Sequence, residues 1–523
     1  MATDNPVKKR TVAATFLFRI SDDASKKAEV ALFRRSSHVR TYQHRLAPIS
    51  GSVEAGDTNP LATALREIQE ETTLDLASIE LLRKGNPYSF ADNDIGHEWT
   101  IYPFAFRLKS TKEGGSGEAG ISIDWEHDGW EWHNPLKVDD TDEFGGVPKL
   151  VNSLRRVWPV YDLGAEAGGA LNDGLEDLGS DHKSGARQLA AKAISILRDV
   201  VSKLDSTQGD GEAWWSNVRM AAWHLSYNGR ESMGAAIVSS LIAVLKRIEA
   251  VCKEAWSNDE TLKQHVLATI DEFLAQRNSA VDRICNSFVN YVKSNVLEHT
   301  RPSGALSVLT TSYSSTIANS LLKAAEALDI TLDLRVLESR PLCEGVTLAS
   351  KLLLEANQNR RVNVTLFSDA SAAIAARGVR FFLFGADRIR STGDVSNKIG
   401  TLPAILSTRH ISPQAKVIAF SEVEKIAIPE SIDDHPVEEN DPAELMQAWE
   451  ARVEGAPVIK EYILRTHGDA EQSRAVVKNV YFEWVPNTLI SEYITDEGPW
   501  TVEDIRKKSQ WVEEECHRFY GNL

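Results

Sequence analysis

The chain has 523 residues, of which 42% are hydrophobic and 25% charged, with a formal net charge of -17. That length exceeds one core and predicts roughly two to four domains. The acidic balance argues against non-specific binding to nucleic acid or anionic membranes, yet leaves room for a small anionic substrate in a locally basic pocket.

The first residues, "MATDNPVKKR", carry no apolar signal core, and no run of about 18 apolar residues follows. A soluble cytoplasmic protein is expected. Cys252, Cys285, Cys343 and Cys516 lack Cys-x-x-Cys spacing, which predicts reduced thiols rather than a disulfide frame or zinc site.

Residues 11–163 predict strands around one clear helix. "TVAATFLFRI", "EVALFRR" and "EWTIYPFAFRLK" are β-rich, "ALREIQEETTL" is helical, and "FGGVPKLVNSLRRVW" closes the unit as a helix. The Gly- and Asp-rich stretch 164–185 predicts a solvated linker. Helices with apolar stripes fill 186–300, and Trp214 and Trp215 are expected to pack between them. From 301 to 523, short apolar β-runs alternate with helices, which predicts a doubly wound parallel sheet with its site at the carboxyl ends of the strands. An acidic segment near 429–455 is expected as a surface insertion.

Two stretches carry chemistry. In "GSVEAGDTNPLATALREIQEETTL", Glu67, Glu70 and Glu71 share one helix face. Carboxylates this close repel one another, and a hard divalent cation would relieve the repulsion. Such a cation on a diphosphate neutralises charge and positions water. Arg66 is placed to orient a carboxylate, and the glycines allow close backbone approach. The stretch resembles the box of the Nudix hydrolases in Gly51, Glu54, Gly56, Asp57 and "REIQEET", and "DWEHDGWEWHNP" resembles the segment before that family's last helix. Asp57 stands where Glu is usual, the spacer to Arg66 is one residue longer, Thr73 replaces a glycine and Ser50 replaces one of a glycine pair. The resemblance implies an α/β/α sandwich with a mixed sheet and a Mg²⁺- or Mn²⁺-dependent hydrolase of a nucleoside or sugar diphosphate. It implies Glu67, Glu70, Glu71 and Gly51 as metal ligands, Glu70, Glu71 and Arg66 in catalysis, and Glu54 at the substrate, with Glu126 a further candidate.

The second constellation is "LTTSYSST", "ESRPLCEG", "FSDAS" and "GADRIRSTGDVSNKIGT", each following a β-run. Hydroxyls at a helix start with backbone N–H groups make a phosphate cradle, and Arg340 is suited to bidentate pairing. Asn397 and Lys398 are expected to open the next helix. These runs, "NGRESMGAA" and "VYFEWVPNTLISEYITDEG" resemble the family uniting the initiation factor 2B regulatory subunits, methylthioribose-1-phosphate isomerase and ribose-1,5-bisphosphate isomerase. The resemblance implies a Rossmann-like domain, a homodimer through it, catalytic Asp387, and sugar-phosphate binding by Arg230, Thr311, Ser312, Arg340, Asn397 and Lys398. Ser312 stands where the isomerases use a cysteine, and a hydroxyl is a far weaker acid than a thiol. Two readings follow: a hydrolase fused to a sugar-phosphate-binding or isomerising domain, or a regulatory relative of initiation factor 2B that senses a sugar phosphate or nucleotide and binds protein partners.

Overall fold

The computed structural model describes residues 8–21, 27–93, 95–181, 184–205, 211–230, 234–254, 260–297, 305–356, 361–429, 440–450, 453–464 and 475–523. The first unit comprises β1 (Lys8–Ile20), β2 (Ala28–Arg35), β3 (Leu46–Ala47), β4 (Ile49–Ser52), α1 (Pro60–Thr72), β5 (Ile79–Lys84), β6 (Tyr88–Asp92), β7 (His97–Leu108), β8 (His127–His133) and α2 (Leu150–Val157). Its eight-stranded sheet runs β3-β2-β1-β7-β5, with β4 also on β1, β6 on β7 and β8 on β2. The β1–β7 pair is parallel and the rest are antiparallel. Alternation along β1 sorts its side chains: Ala13 and Leu17 join Ile68 of α1 in one core, while Phe16 and Phe18 join Leu154 and Val157 of α2 in the other. The sheet is thus a mixed layer between two helices.

Local chemistry sets α1. Asn59 caps it by accepting from the Ala62 N–H at 3.0 Å, Pro60 supplies a preset φ, and Thr73 ends it at φ 62.

The stretch 164–185 is not the expected linker. Helix α3 (Val160–Ser180) runs through most of it, kinked at Gly164 with φ 76. Leu163, Ala167, Leu171, Leu175 and Leu178 recur at helical spacing and are buried in the helical core. Burial of each leucine contributes on the order of 1.5–3 kcal/mol, enough to outweigh the helix cost of the intervening glycines. The layer continues through α4 (Ala186–Lys203), α5 (Gly211–Tyr227), α6 (Gly234–Glu254), α7 (Glu260–Arg277) and α8 (Ala280–Val292). Trp214 and Trp215 are buried within it.

The remaining elements are β9 (Leu306–Thr311), α9 (Ser315–Ala327), β10 (Leu332–Leu337), α10 (Glu344–Ala356), β11 (Val362–Phe367), α11 (Ala372–Ala375), β12 (Phe381–Gly385), β13 (Arg388–Ile389), β14 (Val395–Lys398), α12 (Thr401–Ile411), β15 (Lys416–Ser421), α13 (Pro442–Glu450), α14 (Ala456–Leu464), β16 (Phe482–Val485), β17 (Glu492–Thr495), β18 (Gly498–Trp500) and α15 (Val502–Tyr520). The main sheet runs β11-β10-β9-β12-β15-β17-β18, parallel except for β18. Its order reverses between β9 and β12, the switch point where a doubly wound sheet opens a crevice. The fold class is therefore α/β and multi-domain, as the β/α alternation predicts.

Three local expectations change. Asn397 and Lys398 lie in β14 of a small β13-β14-β16 sheet, not at a helix start, because Ser396, Asn397 and Lys398 pair with Trp484, Glu483 and Phe482. Helix α15 leaves the α/β domain and buries Val512, Cys516, Phe519 and Tyr520 in the helical core. Of the expected surface insertion, 430–439 and 451–452 lie outside the described residues, and α13 occupies part of the remainder. No helix among the described residues is long and apolar enough to cross a membrane.

Candidate functional site

Helix α1 lays Glu67 and Glu71 against β4. A Cβ on Gly51 would meet Glu67 Oε1 at 1.8 Å, so only glycine lets the Glu67 carboxylate lie against this strand. Arg66 organises the surroundings. Its Nε and Nη2 donate to Asp57 at 3.2 and 3.1 Å, its Nη2 to the Ser52 carbonyl at 3.3 Å, and its Nη1 lies 2.7 Å from Glu67 and 3.0 Å from Glu70. Asp57, where the sequence departs from the usual glutamate, also accepts from Thr63 Oγ1 at 2.8 Å and from the Glu54 N–H at 3.0 Å. These bonds, with Arg66 foremost, hold its carboxyl below the usual carboxylate range.

Glu71 is buried, and its Oε2 has no hydrogen-bond partner. Burial, then the charges of Glu67, Glu126 and Asp124, push its carboxyl well above the usual range. Burial also raises the carboxyls of Glu67, against the pull of Arg66, and of Glu126. His127 Nε2 lies 3.4 Å from Glu71 Oε2 and His127 Nδ1 3.4 Å from Asp124, with burial depressing the imidazole. Asp124 and His127 lie in the stretch "DWEHDGWEWHNP", but their place beside Glu71 depends on packing some 50 residues beyond α1, with His127 opening β8 and Asp124 just before it.

Among the described residues, no group of three His, Cys, Asp or Glu side chains is already gathered to hold a metal. The physical reason is Arg66, which draws Glu67 and Glu70 to itself. The residues nevertheless fit a hard divalent cation: mutually repelling oxygens meet at one place, and the buried Oε2 of Glu71 lacks a partner. Glu67 and Glu126 both stand close enough to Glu71 for their charges to act on it. Glu70 is the outlier, its side chain 58% exposed against Arg66.

Glu67, Gly51 and Glu126 stand on the wall of a cavity of about 930 Å³. The cavity also presents Lys8, Arg10, Arg35, Arg40 and Lys149, together with Tyr42, Phe90, Trp99 and Trp125. Lys8, Arg10, Val12 and Ala14 alternate along β1, and His97, Trp99 and Ile101 along β7, so one face of the parallel pair forms the floor. That period-two signal was present in the sequence. His97 and Trp99 stack with ring centroids 5.2 Å apart, and Tyr42 donates to Asp92 at 2.6 Å. Glu54, expected at the substrate, falls outside this wall. The turn tied to Asp57 leaves it exposed.

The second constellation assembles at the carboxyl edge of the main sheet. β9 ends at Thr311, and Ser312 takes φ 62 before Ser314 caps α9 by accepting from the Ile317 N–H at 3.3 Å. Ser312 Oγ donates to Glu344 at 2.7 Å, the Ser312 N–H donates to Ser339 Oγ at 2.6 Å, and the Thr311 and Ser339 hydroxyls pair at 2.8 Å. Lys398 Nζ lies 3.3 Å from Glu344 and 4.8 Å from the Tyr481 and Phe482 ring centroids. Asp387 follows β12, and burial raises its carboxyl against the opposing pull of Lys425 and Lys398. Lys425 pairs with Glu422 at 3.0 Å and donates to the Ala386 carbonyl at 2.8 Å. Ser312, Asp387 and Lys398 thus share one edge, with Glu344, Glu422 and Lys425 joining them beyond the sequence reading.

Other candidates sit differently. Asn397 is buried and donates to Thr401 Oγ1 at 3.0 Å. Arg340 is exposed, its N–H donating to Asp369 at 2.8 Å. Arg230 donates to the Asp181 carbonyl at 3.2 Å, and residues 231–233 of its segment lie outside the described residues.

Comparison with known proteins gives two family matches, the NUDIX domain over residues 9–152 and the Initiation factor 2 subunit family over 182–502. A methylthioribose-1-phosphate isomerase of Pseudomonas fluorescens is 33% identical over 175 residues, 33% of this chain and 42% of the relative. The isomerase of Geobacillus kaustophilus is 31% identical over 195 residues, 37% of this chain and 48% of the relative. The chain therefore spans about half the length of these curated relatives. Among solved structures, eIF2B beta from Chaetomium thermophilum superposes with a TM-score of 0.46 at 18% identity, covering 70% of this chain and 96% of that one.

Proposed function

Since the chain belongs to the Initiation factor 2 subunit family and carries a NUDIX domain ahead of that fold, we propose that it hydrolyses a nucleoside or sugar diphosphate derivative in its N-terminal domain and binds a sugar phosphate in its C-terminal one. The observation that carries the first half is the meeting of Glu67 and Glu126, on the wall of a cavity rich in basic and aromatic groups, with the buried Glu71 on which both their charges act. A divalent cation such as Mg²⁺ or Mn²⁺ bound there would neutralise diphosphate charge and lower the pKa of a bound water. Lys8, Arg10, Arg35 and Arg40 bring positive charge to the phosphates, while Trp99 offers a flat apolar face to a base or other planar group. Arg66 holds Glu67 and Glu70 in reserve and stays anchored on Asp57 when they turn away.

At the second edge, Ser312 and Glu344 favour binding over turnover. The hydroxyl is committed to a carboxylate and cannot supply the acidity of a thiol. This half of the reading keeps the regulatory alternative, a sensor in which the bound phosphate is a signal. Exposed Leu342, Val346, Leu353, Leu366 and Ile374 lie around α10, β11 and α11, an apolar surface suited to closing a homodimer.

The test is incubation of the protein with Mg²⁺ and a panel of nucleoside and sugar diphosphates. Metal-dependent release of phosphate or a monophosphate is expected, abolished in Glu67→Gln. No release from any substrate, or an unaffected Glu67→Gln, would overturn the first half. Ribose phosphates that bind and come off unchanged by NMR support the second half, and no binding overturns it.

A further inference from the structure

The N-terminal domain meets the helical layer along β5, and the contact centres on Asn228 just past α5. Its Oδ1 accepts from the Lys84 N–H at 2.7 Å and its Nδ2 donates to the Lys84 carbonyl at 3.0 Å. Those two bonds fix which end of the amide is which. Asn228 Nδ2 also lies 3.2 Å from His224 Nδ1, so His224 Nδ1 is the acceptor there. The imidazole proton therefore sits on Nε2. His224 is fully buried, and its Nε2 has no partner.

Arg83, the residue before Lys84, poses the same problem with a charge added. Its Nε and Nη1 are sealed from solvent without an acceptor. Burial is the only influence on it, with no carboxylate acting on it, and it lowers the guanidinium to about 10, still charged at neutral pH. Arg83 and His224 are near enough for the arginine charge to act on the imidazole. The junction thus holds three unmatched donor nitrogens, Arg83 Nε and Nη1 and His224 Nε2, and one positive charge with no carboxylate beside it. Arg83 is half-buried, and a charge drawn this far from water without a counter-charge is costly, which arginine cannot relieve by deprotonation.

We infer that a small inorganic anion, of chloride or phosphate chemistry, binds at this junction between Arg83 and His224 and ties the N-terminal domain to the helical layer. A water molecule would satisfy a donor but leave the charge uncompensated. An anion answers both needs. The site is separate from the carboxylate cluster, which repels anions, and from the carboxyl edge of the main sheet.

Crystals of the full chain soaked in bromide provide the direct test. An anomalous peak within hydrogen-bond reach of Arg83 Nη1 and His224 Nε2 is expected, and a position holding only water overturns the inference. In solution, the melting midpoint should rise by roughly 2 °C for each tenfold increase in chloride at constant ionic strength set with gluconate, as expected for a ligand bound only by the folded state. Phosphate in a parallel series distinguishes an oxyanion from a halide site. Arg83→Leu should lose the increment, and an unchanged increment in that variant would count against the site. The bromide soak does not depend on the variant folding.

Discussion

Gly51→Ala separates stability from chemistry. Gly51 has an ordinary backbone conformation in β4, paired with Ala13, so alanine is tolerated there as backbone. Its new Cβ would lie 1.8 Å from Glu67 Oε1, 1.9 Å from Cδ and 2.6 Å from Cγ. Carbon contacts need about 3.5 Å, so the Glu67 carboxylate must withdraw by roughly 1.7 Å. Glu67 ends a flexible side chain on a helix and can swing away, which limits the folding cost to about 1 kcal/mol. Catalysis does not tolerate the same displacement, since about 1 Å at a reacting centre costs on the order of 100-fold. The assay is product release from a diphosphate substrate across a Mg²⁺ titration, beside thermal melts of the same preparations. Turnover should fall by about 100-fold or the Mg²⁺ midpoint should rise by about 10- to 100-fold, with a melt near wild type. Wild-type turnover at a wild-type Mg²⁺ midpoint would refute the placement of Glu67.

Three further outcomes follow from other parts of the molecule. Thr73 is a β-branched residue at φ 62, so Thr73→Gly should stabilise the N-terminal domain by about 1 kcal/mol, or roughly 3 °C by calorimetry, despite losing the 3.3 Å bond to Gly120. Glu424, bonded to Ser240 at 2.9 Å and to Arg277, is pushed up to about 7 chiefly by burial. A raised carboxyl contributes stability that is full below the unfolded pKa of about 4.5 and is lost as pH rises through 7. Denaturant titrations from pH 5 to 8 should therefore show wild type losing up to about 3 kcal/mol relative to Glu424→Gln, and parallel curves would refute this. Glu344→Gln removes a negative charge beside Lys398 and Ser312 and should tighten ribose phosphate binding about tenfold by calorimetry, whereas weaker binding would place Glu344 on the sugar instead.

The parts legible in the sequence were those written locally. The α1 acids and the glycine beside them, the β/α alternation after 301 and the hydroxyls following β9 all lie within short windows, where period and spacing speak directly. The linker was misread because composition outweighed period: Gly and Asp obscured Leu163, Ala167, Leu171, Leu175 and Leu178. Asn397 and Lys398 were placed on a helix because their strand partners lie more than 80 residues away. The imidazole against Glu71, the glutamate against Ser312 and the meeting of Arg83 with His224 all depend on distant segments packing together. No single window contains those pairings.

The kinked helix α3 has a consequence for how the two halves of the protein can cooperate. The helical run after the Gly164 kink, residues 165–180, spans about 24 Å at 1.5 Å per residue, and its apolar side is locked into the layer that also receives α15. A loosely tethered domain could swing a bound molecule across to the carboxyl edge of the main sheet, but a docked strut cannot. If the N-terminal site releases a sugar phosphate, as proposed, a fixed strut gives it no carrier to the carboxyl edge of the main sheet, so a handover would run through concentration and be open to competition from every other molecule that takes the same product.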